Sequence, residues 1–188
     1  MSTNEPLERT YMDEYKFWND LRQQVADWSQ KNFGDQLPHR PLLGIIEEVT
    51  ELDDALKSLN REDVLDAVGD IAIYMADYFY RQITAGGNDG DWDLGKTWMD
   101  RALMDSDTPA SATLPRVIQM LAHHHLKGEQ NIRGGTSAHH NRVRDACRLL
   151  LEHIEYACGL GNADLFIVVS GTWSKVSKRD WKANPDTA

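Results

Sequence analysis

Residues 42 to 83 contain two consecutive segments that each pair an apolar stripe at helical spacing with a second stripe made of carboxylates. In the first, 42–59, Leu42, Ile45, Ile46, Val49, Leu52 and Leu56 fall on one arc of about 120° at 100° per residue. Glu47, Glu48, Glu51 and Asp54 fall on the other side. In the second, 61–83, the apolar set is Val64, Val68, Ile71, Met75 and Phe79. Asp63, Asp66, Asp70 and Asp77 lie within about 60° of one another on the same wheel. Asn60 is placed to cap the second helix, with Glu62 and Asp63 favourable in its first turn. The link at Leu59–Arg61 is short, which makes the two helices antiparallel neighbours. The pattern predicts a helical hairpin whose acidic stripes face each other across a groove.

Such an arrangement costs free energy. Like charges one turn apart destabilise a helix by a few tenths of a kcal/mol per pair, and partial burial weakens the screening between them. Asp70 is the sharpest case, because it interrupts the apolar run Val68-Gly69-Asp70-Ile71-Ala72-Ile73. Gly69 costs a helix about 1 kcal/mol relative to alanine and predicts that something packs closely there. Glu47, Glu48 and Glu51 taken alone read as a solvated face. Both stripes together point to hard divalent cations, for which carboxylate oxygens are the preferred ligands.

The rest of the chain reads as helical too. Tyr15, Trp18, Leu21, Val25 and Trp28 predict a helix over 11–32, with Gly34 as its C-cap and 35–41 as a connector. Residues 86–112 are rich in Gly, Asp, Ser, Thr and Pro and predict an insertion loop, with a short helix near 95–104, serving as a lid or an oligomer contact. Further helices are expected near 113–126, 137–158 and 164–178, followed by a frayed tail over 182–188. No run has a convincing strand pattern. The expectation is an all-α single domain with an insertion at 86–135.

A net charge of −10 and a pI near 5.1 argue against polymeric nucleic acid as a partner. They leave room for a small phosphate ligand if metal ions stand between the two anionic parties. No stretch approaches the roughly 18 apolar residues of a membrane span, and the N-terminal run lacks a secretion-signal pattern. Cys147 and Cys158, on one predicted helix, would be about 16 Å apart, too far to bridge. Free thiols and a cytoplasmic location are the expectation. His123, His124 and His125 point about 100° apart on a helix and cannot share one ion, and neither they nor His139-His140 have metal-ligand spacing. Structural or surface roles are expected for them. Neither acidic helix contains a histidine, which disfavours a di-iron carboxylate bundle.

Two motifs carry a family resemblance. One is Glu47-Glu48-Val49-Thr50-Glu51, preceded by Leu43-Gly44; the other is Asp66-Ala67-Val68-Gly69-Asp70-Ile71. Together they resemble the E-E-x-x-E and E-x-x-D pair of the all-alpha nucleoside triphosphate pyrophosphatases, the MazG-like family. The second motif departs from the strict pattern, since Ala67 stands three before Asp70 and the acid, Asp66, stands four before it. The likeness covers residues 28–80. It resumes over 173–181, which is similar to the basic ending of many MazG-like chains.

The resemblance implies a MazG-like helical bundle that forms a homo-oligomer, a dimer or a tetramer. It implies magnesium, with manganese as a substitute, held by Glu48, Glu51, Asp66 and Asp70, with Glu47 as a further ligand or water holder. It also implies hydrolysis of a nucleoside triphosphate to the monophosphate and pyrophosphate by water attack on the α-phosphorus, with Glu47 or Glu48 accepting the proton. Lys175, Lys178 and Arg179 are expected at the β- and γ-phosphates, or else as a basic last turn matched to the helix dipole. Trp28, Asn32 and Phe33 are candidates for a base pocket, or else core packing. Residues 127–133 offer a second, weaker source of phosphate contacts. The alternatives are a phosphoribosyl-ATP pyrophosphatase and a non-catalytic metal-binding helical scaffold.

Overall fold

The computed structural model describes residues 9–101, 113–130 and 137–183. Among them are seven helices and no strand: α1 (Tyr11–Phe33), α2 (His39–Ser58), α3 (Arg61–Thr84), α4 (Leu94–Asp100), α5 (Leu114–Gln130), α6 (Ser137–Leu160) and α7 (Leu165–Val176). The chain is all-α, as its periodicity predicts.

The ends of the first three helices follow from local chemistry. Thr10 and Asp13 form a capping box at the start of α1. Gly34 ends it at φ 66° and ψ −150°, a conformation open in practice to glycine alone, and its N–H bonds to the Gln30 carbonyl. Helix α2 begins at His39, three residues before the predicted start. Pro41 lies in its first turn, where a missing N–H costs little. Leu59 closes α2 in the left-handed region, and the Asn60 side chain then accepts the Glu62 N–H to open α3. The predicted hairpin is thus made by a two-residue reversal.

Helix α3 occupies the centre and packs against α1, α2, α6 and α7. Its Val68, Ile71, Ala72, Met75, Ala76 and Phe79 are fully buried. Cys147 and Cys158 both lie on α6, buried and free. No described helix is long and apolar enough to cross a membrane.

The described part of the expected insertion, 86–135, packs into the core. Trp92, Leu94, Trp98, Val117 and Leu121 are buried in the same core as α1 and α3. Trp98 packs on Trp18 at 5.0 Å between ring centroids, and Trp92 meets Phe79 edge-on at 5.4 Å. The polar composition misleads because its residues serve as caps and hinges around these anchors. Asp93 caps α4 and also accepts from the Tyr15 hydroxyl and the Asn19 amide. Residues 102–112 and 131–136 lie outside the described residues, and with them the far end of the predicted 95–104 helix and the Arg133 end of the basic segment. The histidines have structural partners. Buried His125 bonds the Tyr78 hydroxyl at 3.0 Å and sits 3.2 Å from Glu129, and His124 faces His139 at 3.1 Å between Nδ1 atoms.

Candidate active site

The hairpin of α2 and α3 sorts its acids into two groups. Asp53 and Asp54 pair with Lys57, Asp63 bonds Asn60, and Asp77 pairs with Arg81. Asp54, Asp63 and Asp77 therefore leave the predicted stripes, because each has a neutralising or capping partner within a turn. Glu47, Glu48, Glu51, Asp66 and Asp70 remain. None of them makes a hydrogen bond or ion pair to another described residue. Glu47, Glu51 and Asp66 are exposed, while Glu48 and Asp70 are half-buried.

The electrostatics couple these remaining acids across the hairpin. Burial pushes the Glu48 carboxyl up to about 7, helped by the charges of Asp70, Glu51, Glu47 and Asp66. Burial also raises Asp70 to about 6, with Asp66 and Glu51 adding to the shift, while Arg179 and Lys175 oppose it. Each half-buried acid feels the charges of the other helix, so the stripes converge across the hairpin. Their donors are all hard oxygens, the chemistry that suits magnesium. Among the described residues no three Asp, Glu, His or Cys side chains already stand close enough to cage an ion.

Two glycines allow the close approaches that complete the site. A Cβ on Gly69 would stand 2.0 Å from the Thr172 Oγ1 and 2.8 Å from its Cβ, so α7 lies directly on α3 at that point. This is the close packing that Gly69 predicts, and it carries Lys175 toward Asp70 from one turn further along α7. Gly69→Ala is expected to destabilise the protein by about 1–3 kcal/mol despite alanine's better helix propensity, because α7 must shift. Urea unfolding measures it, and an unchanged midpoint would contradict the contact.

The second glycine, Gly44, lies under the Tyr74 ring, whose Cε1 would be 2.5 Å from an added Cβ. Burial and the charges of Glu48, Asp70 and Glu47 raise the Tyr74 hydroxyl, and Arg179 opposes them. Sequence reasoning missed Tyr74. Its position four residues after Asp70, on the same face of α3, was the available signal.

Of the three predicted cations, Lys175 and Arg179 act on Asp70, whereas Lys178, just past the end of α7, donates to the Ser174 hydroxyl at 3.4 Å. Of the two roles expected for Trp28, Asn32 and Phe33, packing is the one their contacts fit. Asn32 is buried, its Nδ2 donates to the Trp28 carbonyl, and its Oδ1 accepts the Trp181 N–H, both at 3.0 Å. The Trp28 indole donates to the Arg179 carbonyl at 3.1 Å. Phe33 packs between Trp28 and Trp181 at 5.5 and 6.2 Å. Trp28, Asn32 and Phe33 grip the segment that follows α7, and the amide expected to read a base is used at both ends.

Comparisons of this chain with protein families, with curated proteins and with solved structures found no match.

Proposed function

We propose that this chain is a divalent-cation-dependent hydrolase of the MazG-like type that converts a nucleoside triphosphate to the monophosphate and pyrophosphate. The observation that carries the reading is the set of carboxylates, drawn from two helices and without hydrogen-bond or ion-pair partners among the described residues, with Lys175 and Arg179 acting electrostatically on Asp70. A solvated acidic face would keep its carboxyls exposed and near their ordinary values, and Glu48 and Asp70 are neither. A site that joins acids with cations suits a ligand that is itself anionic and carries metal.

Glu48, Glu51, Asp66 and Asp70 would hold magnesium or manganese. An ion bound there supplies countercharge for the phosphates and an activated water. The remaining roles fall to this chain's side chains. Lys175 and Arg179 bind and orient the terminal phosphates. With Glu48 committed as a ligand, exposed Glu47 accepts the proton of the attacking water. The family likeness further supports a homo-oligomer, and the free buried thiols a reducing cytoplasm.

Incubation with a panel of NTPs and dNTPs plus magnesium is expected to release pyrophosphate, and a chelator to abolish that release. Glu47→Gln should lower kcat by about 10²–10⁴. If no nucleotide yields pyrophosphate with either magnesium or manganese, a non-catalytic metal-binding scaffold becomes the better reading. Turnover confined to phosphoribosyl-ATP would redirect it to that pyrophosphatase.

A further inference from the structure

Helix α7 ends at Val176, and Arg179 lies three residues beyond it. Its N–H still bonds back to the Val176 carbonyl at 3.0 Å, but no further helical turn follows to hold it. Two contacts with α1 take over. The Arg179 carbonyl accepts from the Trp28 indole, and the Trp181 N–H donates to Asn32, so residues 179–181 are bracketed by bonds to partners about 150 positions away in the chain. Asn32 is itself aimed by its bond to the Trp28 carbonyl. Trp181 lies against Phe33, and the Arg179 guanidinium lies 5.9 Å from the Trp181 ring. Beyond this point Asp180 accepts the N–H groups of Lys182 and Ala183 and turns the chain away.

We propose that Trp28 and Asn32 are positioning residues for Arg179: by pinning the backbone from the Arg179 carbonyl to the Trp181 N–H, they keep its guanidinium directed toward Asp70 as the docking point for the terminal phosphates. The inference rests on the phosphohydrolase reading above. Its physical basis is preorganisation. An arginine on a loose chain end must be ordered when ligand binds, which lowers affinity roughly fivefold to thirtyfold per residue fixed. A clamp made before binding removes that penalty. The same contacts would stabilise the fold whatever the site did, so the test must separate position from stability.

Wild type, Trp28→Phe, Arg179→Gln and the double variant are compared by steady-state kinetics on the preferred nucleotide and by calorimetry with magnesium pyrophosphate. Trp28→Phe keeps an aromatic ring and removes the indole donor. Arg179→Gln is expected to raise KM, and the Kd for magnesium pyrophosphate, about tenfold or more. Trp28→Phe should raise both about threefold or more with kcat within about twofold of wild type. The double variant should be no weaker than Arg179→Gln alone, because a clamp with nothing to position has no further effect. Asn32→Leu, a second route to release, should repeat the Trp28→Phe pattern. Multiplying effects in the double variant, or a clamp variant that lowers only the melting temperature, would overturn the proposal. A wild type that hydrolyses nucleotide while Arg179→Gln leaves KM unchanged defeats this inference alone. A wild type that neither hydrolyses nucleotides nor binds magnesium pyrophosphate defeats the hydrolase reading, and this proposal with it.

Discussion

Glu48→Gln is expected to reduce nucleotide hydrolysis about a thousandfold while raising the melting temperature of the metal-free protein at alkaline pH. The loss follows from removing a half-buried ligand. Metal-supplied charge stabilisation amounts to several kcal/mol, and each 1.36 kcal/mol is a factor of ten in rate. The gain follows from the direction of the Glu48 shift. Its folded value is about 7 against an ordinary 4.5, so ionisation opposes folding. The favourable contribution is fully present below about pH 4.5 and is lost as pH rises through 7. Because the carboxyl is partly exposed, screening reduces the effect to about 1–2 kcal/mol, or roughly 3–6 °C for a chain of this size. Glutamine carries no charge at any pH and removes that loss. Thermal melts at pH 5 and pH 8 check this: the variant should match wild type at pH 5 and exceed it at pH 8. Magnesium added to wild type should close much of the gap. A variant that keeps its turnover, or gains nothing at pH 8, contradicts the assignment of Glu48 to the cluster.

Arg81→Met should cost about 3–5 kcal/mol, the largest stability effect expected of any surface-independent substitution near the site. Arg81 is 1% exposed and serves several partners at once. Its Nε meets Asp77 at 3.2 Å, one terminal nitrogen donates to the Ser29 hydroxyl at 2.7 Å, and the other to the Gly34 carbonyl at 2.7 Å. These bonds join α3 to the closing turn of α1. Without the guanidinium, Asp77 remains in surroundings that already raise its carboxyl through burial. The Gly34 carbonyl also loses its donor. Adding Asp77→Asn to the variant should recover part of the loss, since no bare charge is then left inside. Urea unfolding of the single and double variants gives the comparison. A single variant within about 1 kcal/mol of wild type would show that the ion pair does not hold the helices together.

The hairpin was legible because its signals are local. Asn60, Leu59 and the two apolar stripes act within a turn or two of where they stand, and α3 begins at Arg61 as read. The one-turn spacing of Glu48 and Glu51, and of Asp66 and Asp70, was legible for the same reason. What sequence could not separate was an acid with a partner from one without. Asp77 shares the wheel position of Asp70, yet it faces Arg81 one turn later. The aromatic residues stayed undecided for a different reason. Trp28 and Asn32 look equally suited to a base and to a backbone, and the deciding partner lies at Arg179–Trp181, far along the chain. Trp92 and Trp98 were hidden among turn-forming residues, where composition outweighed three or four large side chains in the reading though not in the packing.

The central placement of α3 has a consequence for how the two sides of the site are held. Helices α1, α2, α6 and α7 pack on it, so the amides of its buried face should exchange with solvent only when the whole domain opens. Asp66 and Asp70 ride on that element and keep their stations through ordinary fluctuations. Arg179 reaches the same site from outside that core, on an exposed segment pinned to α1 by two hydrogen bonds. The acidic and cationic sides are thus anchored separately, so loss of the Trp28 and Asn32 bonds should disturb the cationic side while the acidic side stays in place.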